Sequence, residues 1–289
     1  MAQALHATAS DDVTAALLRD ASIETSSRDP TAAAQLADWF APGTDVFINF
    51  VPGTDHRRLV DVAIAVRRAG FEPVPHLTAR GVAGAAELSA VLTRLAGEAG
   101  VQKVLAIAGD VAVPRGPFGS TLEMVESGLL AAQGVKSVGF AGYPEGHHTQ
   151  PREAVQEALA AKLAAARAQG LQGFIVTQFC FEAAPILAWL GAVRAAGVSV
   201  PIRIGVAGPA SNRALLTFAM RCGIGTSLRV LLNQPQSIGR LLRDASPDGL
   251  IAELAAGLAR LAPGERPRLH LFPFGGLAKT GAWRRQAMA

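Results

Sequence analysis

The chain has 289 residues, which is enough for one large α/β domain or for two smaller ones. Half of the residues are hydrophobic, so the chain can build a sizeable core and is not expected to be disordered. The formal net charge is only +4, and Lys and Arg are scattered without a basic run. Nucleic acid is therefore not an expected partner.

We expect no signal that directs the chain to a membrane or out of the cell. Residues 1–13 lack a basic segment followed by an apolar one, so no secretory signal is expected. No run of about 18 apolar residues predicts a membrane span. Cys180 and Cys222 have no CxxC partner and are expected to be reduced core residues. We therefore expect a cytoplasmic protein.

After a short lead-in, the sequence alternates brief apolar runs with longer helical patterns. The lead-in, residues 1–20, contains a predicted helix over 11–20 with acidic residues in its first turn. Short apolar runs that precede helices are typical of buried parallel strands. Eight such strands are predicted, at 22–25, 45–51, 72–78, 103–109, 136–142, 173–179, 201–207 and 268–274.

A helix is predicted after each of these strands, and Gly70 and Gly100 are expected to end two of them. The eighth unit is preceded by a longer helical insertion at about 226–262, broken near Ser246-Pro247. The helices are predicted at 31–41, 55–69, 83–99, 120–132, 151–169, 182–196, 211–222 and 280–288.

Eight strand–helix units over residues 21–289 predict a single-domain (β/α)8 TIM barrel. A doubly wound open sheet also alternates strands with helices and is the alternative. In either fold, residues at the C-terminal ends of the strands face the ligand.

Several polar side chains lie at these predicted strand ends. Glu24 on the first strand and Asp110 after the fourth are candidates for acid and electrostatic roles, whereas ion pairing or helix capping is the alternative for each. Gln178 is also a site candidate, and its alternative role is to tie adjacent strands together. The other residues predicted at this rim are Asn49, His76, Thr78, Tyr143, His147 and Gly208.

Motifs for other chemistries are missing from the sequence. The segments 75–78 and 143–148 contain histidines but no HxH or HExxH spacing, so no metal site is predicted. There is no GxSxG nucleophile elbow, no Walker loop and no GxGxxG after the first strand. A dinucleotide would have to bind at a barrel mouth.

The motifs at the strand ends, in this order, resemble the methylenetetrahydrofolate reductase family. Three segments, TQFCFEAAPILAW, GVAGPASN and FPFGGL, are similar to a short bacterial branch tied to catabolism of methyl groups, which has only the catalytic barrel. The pieces that carry the resemblance are Glu24, Pro75-His76-Leu77-Thr78, Gly109-Asp110, Gly142-Tyr143-Pro144-Glu145-Gly146-His147 and Thr177-Gln178-Phe179.

The resemblance implies a barrel that binds FAD at its C-terminal mouth, with NADH or NADPH as co-substrate and tetrahydrofolate derivatives as substrates. Glu24 matches the general acid that assists opening of the methylene bridge. Asp110 matches a catalytic carboxylate near the flavin and the pterin, and Gln178 and Phe179 match substrate-binding positions. Asn49 occupies a place where the family often has Thr. The positions implied to bind the cofactor are Asn49, His76, Thr78, Gly109, Tyr143 and His147.

The sequence departs from the family pattern mainly at positions that would bind FAD. Ala108 stands where the family usually has Arg, and residues 25–28 read TSSR in place of the usual aromatic and Pro residues. The predicted helix 151–169 lacks the usual Asp and Lys, so Lys162 and Arg167 are the candidate substitutes. We therefore expect FAD to be weakly held.

The expected activity is interconversion of 5,10-methylenetetrahydrofolate and 5-methyltetrahydrofolate, in the oxidative direction if the chain serves catabolism. One alternative is direct hydride transfer from NAD(P)H to folate without flavin. Another is a folate-binding protein without catalysis, although binding alone does not require an acid at Glu24. A homodimer is expected from the apolar helix faces.

Overall fold

The computed structural model describes residues 12–51, 53, 55–222 and 244–288. Eight parallel strands form a closed barrel, and a separate antiparallel pair, β8 and β9, lies outside it. The strands are β1 Ser22–Ser26, β2 Asp45–Asn49, β3 Glu72–Thr78, β4 Lys103–Ile107, β5 Ser137–Gly142, β6 Gln172–Thr177, β7 Ile202–Ala207, β8 Ala210–Ser211, β9 Asp244–Ala245 and β10 Arg268–Phe272.

The barrel order is β1-β10-β7-β6-β5-β4-β3-β2. Helices follow the strands in the chain, as expected for a (β/α)8 architecture. They are α1 at 12–19, α2 Ala32–Leu36, α3 His56–Arg68, α4 Ala85–Ala99, α5 Thr121–Glu126, α6 Leu129–Ala132, α7 Arg152–Ala168, α8 Ala183–Ala195, α9 Asn212–Arg221, α10 Asp248–Leu258 and α11 Leu277–Ala287.

The internal contacts divide the chain into two compact units. The first unit comprises residues 23–142 and 153–176, and the second comprises the described parts of 1–22, 143–152 and 177–289. Each unit has its own cluster of buried apolar side chains.

One buried cluster of the first unit consists of apolar side chains on β2, β3, β4 and β6. Phe47 of β2 lies opposite Val74 of β3 in the sheet register. The Phe47 and Phe174 rings meet edge to face, 6.2 Å between centroids. Gly139 on β5 provides the space for Phe174, because a Cβ at this position would clash with the ring and lie 2.9 Å from a Leu105 methyl carbon. The buried members are Phe47, Val74, Leu105, Phe174 and Val176.

The second unit is held together by an aromatic cluster and by two long-range hydrogen-bonded links. The Thr177 hydroxyl accepts a hydrogen bond from the Gly205 backbone N–H at 2.9 Å and so joins β6 to β7. Arg284 of α11 donates from Nε to Leu18 O at 2.6 Å and from Nη2 to Arg19 O at 3.0 Å, which satisfies carbonyls at the end of α1. Phe179 lies at the centre of the aromatic cluster and is 1% exposed.

The predicted barrel is confirmed, and the doubly wound sheet is wrong, because the first and last barrel strands are neighbours in a closed order. The expected endings at Gly70 and Gly100 are also confirmed, since both have positive φ at helix ends. The helix expected over 120–132 is two helices instead, because Gly128 adopts φ 74° between α5 and α6.

The predicted insertion at 226–262 lies partly outside the described residues. Its later part contains α10, which begins after Pro247. The division into a lead-in at 1–20 and a barrel with an insertion stays a prediction. No helix in the described part of the chain is long and apolar enough to cross a membrane. Neither Cys180 nor Cys222 forms a disulfide in the described part of the chain, and burial raises the pKa of Cys180.

Candidate active site

The first unit places three polar side chains in direct contact above its apolar core. Residues two apart on a strand share a face, so Asn49 extends the face of Phe47, and His76 extends the face of Val74. Glu24 of β1 lies opposite Phe47 in the register and shares that face. Three neighbouring strands, β1, β2 and β3, therefore bring Glu24, Asn49 and His76 together. We call these three residues the Glu24 cluster.

The Glu24 carboxyl is the centre of this cluster. Its Oε1 accepts a hydrogen bond from Asn49 Nδ2 at 2.9 Å, and its Oε2 lies 3.7 Å from His76 Nε2. Glu24 is 12% exposed and His76 is 9% exposed at their side chains, so the pair is largely removed from bulk water. The His76 and Phe47 rings also meet edge to face, 6.2 Å between centroids. A carboxyl held this way can give or take a proton at one defined position.

Thr78 and Gly109 lie close together at the ends of β3 and β4. Gly109 has φ 87°, and a Cβ there would lie 3.0 Å from Thr78 Cβ, so the chain accommodates only glycine comfortably at this point. Thr78 Oγ1 is buried without a hydrogen-bond partner among the described residues. Asp110 follows Gly109 and is exposed, and it makes no hydrogen bond or ion pair with a described residue. Asp110 therefore forms no hydrogen bond or ion pair with the Glu24 cluster.

Two of the predicted site residues lie after β5, in the second unit. The Tyr143 and His147 rings meet edge to face, 4.9 Å between centroids, across a turn in which Gly146 N–H donates to Tyr143 O. Burial lowers the pKa of His147, and the neighbouring His148 lowers it further. His147 Nδ1 accepts from the Thr149 backbone N–H at 3.3 Å. An Nδ1 that accepts this hydrogen bond leaves Nε2 as the ring nitrogen that can donate.

Two neighbouring residues at the end of β6 have different roles: Thr177 is structural, and Gln178 is a candidate for binding. Gln178 does not tie strands together, since its Oε1 accepts a hydrogen bond from its own neighbour, Phe179 N–H, at 3.1 Å. Thr177 makes the link to β7 instead. Gln178 is half-buried, and its amide nitrogen bonds to no described residue. Its predicted binding role stays a prediction.

Phe179 is placed inside the core rather than at a surface. It is 1% exposed and packs against Phe181, Phe272 and Phe274 at centroid distances of 5.7, 5.7 and 4.8 Å. Its predicted contact with substrate stays a prediction, and its position favours a packing role. Gly208, also predicted at the rim, lies directly under the buried Thr280 side chain.

Sequence reasoning missed the contacts that join these residues, because they cross between strands. It did not identify Asn49 as the partner of Glu24, nor the arginines that hold the loop after β4. Arg80 donates to Gly119 O at 3.0 Å and to Val111 O at 3.4 Å. Arg115 donates to Gly81 O at 2.9 Å. The Pro/Gly-rich composition of residues 111–119 was the only signal of this loop.

Lys162 of α7 is one candidate substitute for the helix Lys that the resemblance leads us to expect, and its side chain points towards β5. Its ammonium lies 5.7 Å from the centre of the Phe140 ring, and burial lowers its pKa. Phe140 neighbours Gly139, whose missing side chain would point into the core, so Phe140 faces the helices. Within the described residues no group of three or more His, Cys, Asp or Glu is arranged to hold a metal ion. The expectation of no metal stays a prediction.

The fold and the placement of these side chains define a class of protein: a (β/α)8 barrel with polar and ionisable residues at or after strand C-terminal ends, where barrel enzymes bind ligands. The family model described as methylenetetrahydrofolate reductase matches residues 35–228, more than half of the chain. The chain therefore belongs to the methylenetetrahydrofolate reductase family, a family of folate-related oxidoreductases.

Two solved structures match this chain at low sequence identity. Dihydropteroate synthase (FolP) from Thermus thermophilus is 17% identical with a TM-score of 0.51, and the match covers 94% of this chain and 93% of that one. The same enzyme in complex with 6HMPPP is 17% identical with a TM-score of 0.49, and the match covers 92% and 90%. At this identity the first of these likenesses shows the barrel fold alone.

Proposed function

We propose that this protein interconverts 5,10-methylenetetrahydrofolate and 5-methyltetrahydrofolate with NAD(P)H as the electron partner. Family membership supports the substrate class. The observation that carries the proposal is the Glu24 carboxyl, which is largely buried and held by Asn49. Glu24 lies before the matched segment 35–228, so its role rests on this geometry and on the sequence resemblance.

Glu24 supplies the proton that the reaction needs. In the reductive direction, the carboxylic acid gives its proton to the leaving ring nitrogen as the C–N bond of the methylene bridge breaks. The electron pair of that bond goes to the nitrogen, and an iminium cation remains on the other nitrogen. The iminium carbon accepts a hydride that derives from NAD(P)H and becomes the methyl group. The oxidative direction reverses these steps and returns the proton to Glu24.

Asp110 and Gln178 take the supporting roles. Asp110 as an anion favours the developing iminium cation. Gln178 retains an amide nitrogen that is not bonded to described residues, so it has donors for the acceptor groups of a pterin. A homodimer and a cytoplasmic location remain predictions from the sequence.

The residues present fit FAD only in part. In the second unit, Tyr143 and His147 are candidates for the polar edges of a flavin. In the first unit, Thr78 Oγ1 is a buried polar atom without a described partner. A pyrophosphate needs cationic or N–H donors. Ala108 offers none, and Arg80 and Arg115 donate to carbonyls of their own chain. When bound, FAD carries the hydride between the nicotinamide and the folate carbon.

A second candidate function is hydride transfer without flavin. It is favoured by the same observation that Arg80, Arg115 and Lys162 are engaged within the chain. In this case the nicotinamide gives its hydride to the iminium carbon directly, and Glu24 has the same role as acid. The two candidates therefore share the folate chemistry and differ only in the carrier of the hydride.

The test is an anaerobic assay of purified protein with methylenetetrahydrofolate and NADH or NADPH, with FAD either added or rigorously removed. Formation of 5-methyltetrahydrofolate that depends on FAD supports the leading proposal. Full turnover without flavin supports the second candidate. Binding of folate without turnover under either condition overturns both and indicates a folate-binding protein.

A further inference from the structure

We propose that Asn49 is a positioning residue for Glu24: it holds Oε1 as a hydrogen-bond acceptor and thereby places the transferable proton on Oε2. This inference rests on the proposed function, in which Glu24 is the acid, and it replaces the cofactor-binding role predicted for Asn49. The juxtaposition that carries it is Asn49 Nδ2 at 2.9 Å from Glu24 Oε1, with His76 Nε2 at 3.7 Å from Oε2.

The first step of the argument concerns the chemistry of the amide. The Asn49 NH2 group donates hydrogen bonds and accepts none. A carboxylic acid has one O–H and one carbonyl oxygen, and the carbonyl oxygen is the stronger acceptor, so a fixed donor on Asn49 selects Oε1 as the carbonyl oxygen. The proton of the acid form is therefore carried by Oε2, the oxygen that faces His76.

The second step concerns the orientation of the Asn49 amide. Its O and N ends have nearly the same shape, so the hydrogen bonds decide which end faces Glu24. After proton transfer Glu24 is a carboxylate, and both of its oxygens are acceptors only. Only the orientation that presents Nδ2 to Oε1 is then attractive. The same orientation also serves the acid form, so Asn49 keeps one geometry through the whole cycle.

The third step concerns the burial of the Asn49 amide oxygen, which makes a purely structural role for its amide unfavourable. Asn49 Oδ1 is buried and has no hydrogen-bond partner among the described residues. Leaving a buried polar atom without a partner has a cost. A side chain selected only for packing on β2 would not require an amide here. Within the described part of the chain, the polar contact of this side chain is its donation to Glu24, which favours a role at the carboxyl.

The experiment compares wild type with Asn49→Leu, which keeps the size of the side chain and removes the donor. Infrared difference spectra of the acid form isolate the Glu24 carboxylic C=O stretch by its loss in Glu24→Gln. We expect this band to move to higher frequency in Asn49→Leu because the carbonyl loses its donor. We also expect kcat for folate to fall about ten- to hundredfold with KM nearly unchanged.

Two further variants make the comparison specific. Gln133→Leu is the matched control, since Gln133 donates to Ser89 Oγ at 2.9 Å, away from the Glu24 cluster, and it should change neither the band nor kcat. If Asn49→Leu does not fold, Asn49→Ser replaces it, because the shorter hydroxyl does not reach Oε1.

Each outcome decides the inference. An upward band shift with a fall in kcat alone supports it. An unmoved band overturns it, and so does a moved band with unchanged kcat. A change confined to KM also overturns it and would return Asn49 to a binding role. If wild type does not turn over folate at all, the proposed function fails, and the band alone decides whether Asn49 holds the Glu24 carboxyl.

Discussion

Among single residues, Glu24 is the side chain on which the proposed chemistry depends. In the wild-type chain, Asn49 Nδ2 lies 2.9 Å from Glu24 Oε1. Replacement of Glu24 by Gln keeps the shape of the side chain and leaves an oxygen that can accept from Asn49 Nδ2. An amide does not donate a carboxylic proton, so Glu24→Gln should abolish the folate half-reaction. Folate affinity should stay within roughly tenfold, about 1.4 kcal/mol, as measured by titration calorimetry. Turnover at the wild-type rate would show that Glu24 is not the acid.

Gln178 provides a second test on a single side chain, and its neighbour provides the control. Gln178→Ala should weaken binding of 5-methyltetrahydrofolate by about 1–3 kcal/mol, because buried pterin groups lose their partner. Thr177→Val removes the hydroxyl that accepts from Gly205 N–H, so it should lower the free energy of unfolding by about 1 kcal/mol with little direct effect on affinity. Unchanged affinity in a folded Gln178→Ala variant would remove Gln178 from the folate site.

Among the secondary-structure elements, the packing of β5 against the first unit's core depends on one missing side chain. Gly139→Ala would place a Cβ against the Phe174 ring and 2.9 Å from a Leu105 methyl carbon. Overpacking of this kind costs about 1–3 kcal/mol, so the midpoint of urea unfolding should fall.

The matched control for Gly139 is Gly191, an exposed glycine inside α8 with nothing within 4 Å of an added Cβ. Gly191→Ala should raise the free energy of unfolding by about 0.5–1 kcal/mol, because alanine restricts the unfolded chain and favours the helix. Equal effects of the two substitutions would contradict the packing described for β5.

For the molecule as a whole, the question is how strongly the chain holds FAD. Each missing charge-assisted hydrogen bond costs roughly 1.5–3 kcal/mol, so two absences lower affinity by roughly a hundredfold or more. The two absences are the family's Arg, replaced by Ala108, and the family's helix Lys, and Arg80 and Arg115 donate to carbonyls of their own chain. We therefore expect purified protein to be largely colourless and to bind added FAD at about micromolar concentration.

The visible absorbance spectrum of the purified protein, followed by titration of the flavin-free protein with FAD, tests this expectation. A tightly held stoichiometric flavin after purification would contradict it. The matched variant is Ala108→Arg, which adds a cation after β4. If the missing charge is what limits affinity, Ala108→Arg should bind FAD more tightly than wild type.

The architecture and the positions of most polar residues along it could be predicted from the amino-acid sequence. Apolar runs of strand length, each followed by a helical pattern, leave few ways to bury all the strands, and a closed parallel barrel is the way that the structure adopts. Alternation along each strand then sets which face a residue occupies, so the placement of Glu24, His76 and Gln178 at or near strand ends followed from spacing.

Which of these residues touch became clear only from the folded chain. The contact of Asn49 with Glu24 depends on the register of β1 against β2, and a single sequence does not state a register. The burial of Phe179, the direction of Lys162 towards Phe140 and the engagement of Arg80 with its own loop depend likewise on neighbours that are distant in the chain. Local pattern specifies elements and faces, whereas contacts between elements are set by packing across the sheet.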